Sequence, residues 1–337
     1  MFPLQALIKI AMKMKELVLS IAGALLLTAC ADQQSREPQL DTAAIGFATS
    51  VTRSATGPVS GFAAGDSFDV WAQMVMMTDA GGSPLTGTPV TVFSEEPVTT
   101  ADGTVWSYVN TKYWEVADYA FAAIFPAEVD GASVAFDTSG NPVFKIDNYN
   151  ATANYDLMTA SQTASYRGTA SPVQFQFAHI MSNIVFEART APVLIQNGVT
   201  MTITSFKLTG FPVTASFNSA ATPHWSVSTP ENERYNFSGE IALMTDDYTE
   251  LADLIVFPQE LGTVEGSSLQ YSISYRSSTG VEYDRSGRLN AVSGDLARWQ
   301  EGMRYRYSIE LGADYILFGR PEVEEWDETS GGRWTVE

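Results

Sequence analysis

The chain is 337 residues long, 45% hydrophobic and only 17% charged, enough to bury substantial cores in about two domains. Its formal net charge is −20; the first 29 residues hold three Lys and one Glu, so the rest of the chain carries −22. Such a surface repels nucleic-acid phosphates and anionic lipid, which excludes nucleic-acid binding as the function.

The chain opens on a targeting segment. Lys13 and Lys15 stand ahead of an apolar run, Leu17 to Leu27. This is the build of a secretory signal, and the run is short for a bilayer span. Met12 and Met14 are alternative starts to Met1. The run ends in Leu27-Thr28-Ala29-Cys30, and Cys30 is the only cysteine in the chain. The segment resembles a bacterial lipobox, which implies cleavage between Ala29 and Cys30 and acylation of the cysteine. A buried free cysteine behind an ordinary signal is the alternative. It leaves the coincidence of apolar run, small residues and Cys without a cause. Several acyl chains make a stable anchor. Ala31 to Thr42 is polar, with no apolar period, and reads as a flexible tether.

The remainder reads as all-β. Thr, Val, Ser, Tyr and Phe are abundant, and Gly, Pro, Asn and Asp recur between short apolar runs. Ile45, Phe47 and Val51 share one face of a strand. So do Val173, Phe175 and Phe177, and so do Val199, Met201 and Ile203. The longest set is Met303, Tyr305, Tyr307, Ile309 and Leu311, with Arg304, Arg306, Ser308 and Glu310 on the other face. One apolar and one polar face predicts antiparallel sheets packed face to face. Thr159 to Ser171, poor in large apolar residues, predicts a linker. Asp246 to Leu254 predicts one helical turn.

Residues 171–188 change phase. Val173, Phe175 and Phe177 are odd positions, whereas Ile180, Ile184 and Phe186 are even. One strand cannot keep both sets on one face, so a bulge or a sheet-switching corner is predicted near His179 to Ser182. His179 at that corner reads either as a ligand or base, or as a structural histidine hydrogen-bonded at a strand end. The structural reading is the expectation.

Several segments in order carry a family resemblance: the lipobox, "IGFATSVTRSATGPVSGFAAGDSFDVWA" (45–72), "YAFAAIFPAE" (119–128), "FQFAHIMSNIVFEA" (175–188), "ITSFKLTGFPVTASF" (203–217), "IVFPQEL" (255–261), "WQEGMRYRYSIEL" (299–311) and "ILFGRPEVEEWDE" (316–328). Together they resemble the fimbrillin family of pilin lipoproteins, in its Mfa-like branch. The resemblance implies two transthyretin-like, Greek-key antiparallel β-sandwich domains. Taken with the linker reading, it divides the chain into a signal peptide (1–29), a lipidated propeptide with a removable strand (30–53), and sandwiches at 54–169 and 170–337. It also implies an outer-membrane or cell-surface lipoprotein trimmed by an Arg-specific protease. A strand from another fimbrial subunit then fills the vacated groove.

Arg53-Ser54 best matches the trimming site, since Arg53 follows the Ile45, Phe47 and Val51 strand. Arg36 is the alternative, but a cut there removes no strand. The donor strand is expected near a free end, at Tyr315, Ile316, Leu317 and Phe318 or at the tail with Trp334 and Val336. Either segment reads equally as a strand of the subunit's own second domain.

Enzymatic readings find little support. His179 and His224 have no second ligand at metal spacing, and no nucleophile-elbow or phosphate-loop pattern occurs. No cofactor is called for. Carboxylates at Asp246, Asp247 and Glu250, and at Glu322, Glu324, Glu325, Asp327 and Glu328, read as solvated loops. The alternative to a pilus subunit is a surface glycan-binding lipoprotein, or a non-polymerising tip adhesin or anchor. For that reading Trp106, Trp114 and Trp225 are the aromatics to check for exposure.

Overall fold

The computed structural model describes residues 43–51, 61–77, 88–227, 235–262, 269–289 and 296–326. Cys30 and Ala29, the Arg53-Ser54 bond, and Trp334 and Val336 lie outside the described residues. The elements in order are β1 (Phe47–Val51), β2 (Ser67–Met76), β3 (Val90–Thr100), β4 (Trp106–Ser107), β5 (Ala117–Phe125), β6 (Ala132–Phe136), β7 (Pro142–Asn150), β8 (Met158–Tyr166), β9 (Val173–His179), β10 (Ser182–Thr190) and β11 (Met201–Thr209). They continue with β12 (Thr214–Asn218), β13 (Trp225–Val227), β14 (Tyr235–Leu243), β15 (Thr249–Val256), β16 (Gln259–Glu260), β17 (Gln270–Ser277), β18 (Glu282–Arg288), β19 (Arg298–Trp299), β20 (Met303–Leu311), β21 (Ile316–Phe318) and β22 (Glu322–Glu325). A short helix, α1 (Pro192–Gln196), starts on the proline at its first turn.

A seven-stranded sheet runs β1-β9-β8-β5-β2-β3-β4. It wraps around one apolar core that includes Phe47, Phe68, Phe93, Phe121, Phe175 and Phe177. Its two ends approach, and the Trp106 indole on β4 donates to Thr49 Oγ1 on β1 at 3.0 Å. The second core lies between two other sheets, β15-β10-β20-β21 and β14-β11-β17-β18. Alternation drives this packing. Tyr305, Tyr307, Ile309 and Leu311 are fully buried. On the opposite face, Arg306 and Ser308 bond Glu187 at 3.0 and 2.7 Å, and Glu310 accepts from Arg189 at 2.9 Å. Arg304 departs from the expected polar face, because it is buried and donates to Asn183 Oδ1.

A fourth sheet, β13-β12-β7-β6, takes strands from before and after residue 170. It covers a third core that includes Trp71, Ile146, Phe217, Trp225, Phe257 and Trp326.

Three sequence expectations change. Most of the predicted linker is β8, an interior strand paired with β5 from Ala117↔Tyr166 to Phe125↔Met158. Its small side chains suffice because backbone pairing carries it. The predicted helical turn at Asp246 to Leu254 is instead mostly β15. Pairings are also not uniformly antiparallel, since β1 runs parallel to β9 and β10 parallel to β20. Each of these pairs is far apart in sequence, so no hairpin fixes its direction. The predicted corner is present: β9 ends at His179 in the seven-stranded sheet, and β10 starts at Ser182 in the five-stranded one.

Candidate functional site

β1 closes a seam. Upstream of it, Ala44 bridges Tyr113, Ile45 N–H donates to the Lys112 carbonyl at 2.8 Å, and Trp114 N–H donates to the Ala43 carbonyl at 3.0 Å. The Tyr108 hydroxyl donates to the Ile45 carbonyl at 2.8 Å. From Phe47 the strand turns to its other neighbour and runs parallel to β9, from Phe47↔Val173 to Val51↔Phe177. One short segment thus bonds β9 on one side and, through residues 112–114, the stretch after β4 on the other.

The seam is apolar beneath. Ile45, Phe47 and Val51 are 1%, 7% and 2% exposed. The Phe47 ring stacks on Phe175 at 5.7 Å between centroids and meets Phe68, Phe93, Tyr108 and Phe121 edge-on. Burying the three side chains is worth roughly 5–9 kcal/mol, comparable to the stability of a whole domain. Removing the strand would also orphan the backbone groups that face it on β9 and at residues 112–114. β1 has no hairpin partner, so a cut between β1 and β2 leaves the other strands of the sheet continuous. Arg53 lies two residues beyond Val51.

Of the two donor segments, only the first lies among the described residues. β21 pairs antiparallel with β20, Ile309↔Phe318 to Leu311↔Ile316. Ile316 and Phe318 pack on the second core, with Phe318 against Tyr271 at 4.6 Å, while Leu317 is exposed. Tyr315 is exposed, and its hydroxyl donates to Glu310.

His179 sits at the corner as a buried, hydrogen-bonded residue. Its Nδ1 is 2.6 Å from Asp156 Oδ2, and its ring stacks on Trp326 at 4.2 Å. Burial pushes the Asp156 carboxyl above its ordinary value, and the His179 ring beside it opposes that rise. Asp156 and Trp326 carry no period that singles them out in the sequence. Tyr108 and Thr49, which bond across the seam, are equally silent there. Trp106, Trp114 and Trp225, the aromatics to check for glycan stacking, are all buried. Glu322, Glu324 and Glu325 lie exposed along β22, and Glu324 reaches Arg306 at 4.0 Å.

Comparison with known proteins places the chain. No curated protein matches it. Among solved structures it is similar to a fimbrial protein from Bacteroides vulgatus, at 16% identity and a TM-score of 0.55 over 84% of this chain and 99% of that one. It is also similar to a candidate cell adhesion protein from Bacteroides ovatus, at 17% identity and a TM-score of 0.53 over 85% of this chain and 98% of that one. At such identities the likeness shows the fold. The model of the fimbrillin-like family matches residues 52–326, and the chain belongs to that family.

Proposed function

We propose that the protein is a structural subunit of a cell-surface fimbrium that assembles by strand exchange at the β1 seam. The placement of β1 carries this reading: an apolar strand without a hairpin partner, paired with β9, joined through the residues just before it to residues 112–114, and followed two residues later by an arginine. In this scheme the chain is exported as a lipoprotein through Cys30 and held in the outer membrane. An Arg-specific protease cuts Arg53-Ser54, and β1 stays with the anchor. The rest of the chain, from Ser54 onward, is freed from the anchor. An alternating strand from another subunit then refills the seam, satisfying the exposed backbone and covering Phe175 and its neighbours.

The pairing of β21 favours the tail as donor. Withdrawing Ile316 and Phe318 would uncover the subunit's own second core. Trp334 and Val336 share one face of a two-residue repeat and fit the same alternation as Phe47 and Val51.

Digestion of the folded exported chain with an Arg-specific protease tests the scheme. The expected product is a single new N-terminus at Ser54 that grows into SDS-resistant oligomers. Resistance at Arg53, or a cut product that stays monomeric, would contradict it.

A further inference from the structure

β21 is the end strand of its sheet, and no strand among the described residues pairs with its outer edge. Sheets guard such edges with charge, proline or a bulge. β18, another end strand, carries Glu282, Asp284, Arg285 and Arg288. β3 meets β4 only at Thr99 and Thr100, and it is interrupted by Glu95 at φ +53°, Glu96 and Pro97. β21 reads Ile316-Leu317-Phe318 and has none of these guards.

Alternation decides which of its groups face outward. Gly312 N–H donates to the Tyr315 carbonyl, and Gly319 N–H donates to the Ser308 carbonyl. Tyr315, Leu317 and Gly319 therefore turn their backbone groups toward β20, and Ile316 and Phe318 turn theirs to the open edge. The side chains follow the same period. Ile316 and Phe318 pack on the second core, while Leu317 is 56% exposed.

One arrangement uses all of these groups at once: two copies of β21 run antiparallel about a two-fold axis through Leu317. Ile316 of each copy then exchanges backbone hydrogen bonds with Phe318 of the other. Core-facing and outward-facing side chains stay in phase across the pair. Leu317 meets its own counterpart in a non-hydrogen-bonded pair, where side chains approach more closely. The flanks match as well. Tyr315 falls opposite Gly319, which has no side chain to obstruct the ring, and Asp314 falls opposite Arg320. Both charged residues are exposed. Other registers lose this match. An axis through Phe318 sets Asp314 against Glu322, and an axis through Ile316 sets it against Phe318. The strand is thus complementary to itself, on a chain whose net charge of −20 opposes self-association elsewhere.

We propose that β21 is a self-pairing edge that joins two copies of this chain side by side. The contact is isologous, so it closes on two copies and cannot by itself build a filament. It shares no residue with the β1 seam. Seven residues from each copy, 314–320, make a small interface, so an isolated pair is weak. Repetition along a fimbrium would multiply it.

Sedimentation of the uncut exported chain tests the contact, because β1 is still in place and the seam is closed. A monomer–dimer equilibrium with a Kd of about 10–500 µM is expected. Leu317→Lys is expected to abolish it and, since Leu317 is exposed, to keep the thermal midpoint. Asp314→Arg and Arg320→Asp are each expected to weaken pairing about fivefold or more, because the symmetric contact holds the ion pair twice. The chain with both reversals is expected to recover it. In a Cys30→Ser chain, Leu317→Cys is expected to oxidise to disulfide-linked dimers, its two Cα atoms lying about 4.5 Å apart across the axis. Val281→Cys, exposed elsewhere, is expected to stay monomeric. A chain that remains monomeric up to about 1 mM, or dimers that Leu317→Lys and the single reversals leave unchanged, would overturn the proposal. Assembly after digestion at Arg53 reads the seam separately, so failure of one proposal does not disguise failure of the other.

Discussion

Phe47 is the residue on which the seam turns. It touches five aromatic rings from four strands and the segment after β4. Phe47→Ala is expected to lower stability by about 3–5 kcal/mol, read by urea unfolding; a loss under about 1 kcal/mol would mean that the seam is not packed by this ring. Asp102, in the turn between β3 and β4, gives a pH signature. Its carboxylate accepts from the backbone N–H groups of Val105 and Thr104, each at 2.8 Å, and from the Thr104 hydroxyl at 2.9 Å. These bonds hold its pKa down to about 2 from 3.8. A folded value below the unfolded one means that the stabilisation is present above 3.8 and is lost as pH falls toward 2. Asp102→Asn should therefore flatten stability over that window, and an unchanged acid limb would refute the assignment. Gly103 beside it has φ +81°, and an added Cβ would strike the Phe62 carbonyl, so the turn accepts only glycine there. Such residues are legible in part. Burial of Phe47 follows from alternation. The pairing of His179 with Asp156 joins the end of β9 to the connection before β8, 23 positions apart, which no periodicity encodes.

At the scale of elements, the alternating strands are readable and the irregular ones are not. β15 reads as a helical turn because of a bulge. Phe186 pairs with Ala252 and Glu187 with Glu250, so Leu251 is an extra residue between them. Leu251 and Ala252 are both buried, and Leu251 and Leu254 acquire the three-residue spacing of a helix face. β8 escapes for a different reason. Its Ser, Thr and Ala side chains carry little burial signal, and its place is set by ladders to β5 and β9 that only the folded sheet supplies. The substitution Thr163→Pro separates strand from linker, since Thr163 pairs with Ala120 in the middle of that ladder. Loss of the soluble folded protein is expected, because proline removes a donor from an interior strand. A variant of wild-type thermal midpoint would restore the linker reading. The sheet switch at His179 is legible because a phase change is a local property, visible without knowing the partner strands.

At the scale of the molecule, the third core is the feature that sequence alone hides. Its residues come from Trp71 through Trp326, and its sheet pairs β7 with β12 across the predicted boundary at 169/170. Distant pieces of chain contribute one or two side chains each, so no segment shows a pattern of its own. β9 likewise lies beyond that boundary yet completes the first sheet. The described residues, 43 to 326, form one compact unit. The apolar seam under β1 is then the place where the first core can be opened without disturbing the other two. The most direct measurement is the behaviour of a chain that begins at Ser54. If β1 is an exchangeable strand, that chain forms SDS-resistant oligomers, and an excess of synthetic peptide 43–53 returns it to monomers. A stable monomer with the thermal midpoint of the full exported chain, indifferent to the peptide, would show that β1 holds nothing closed.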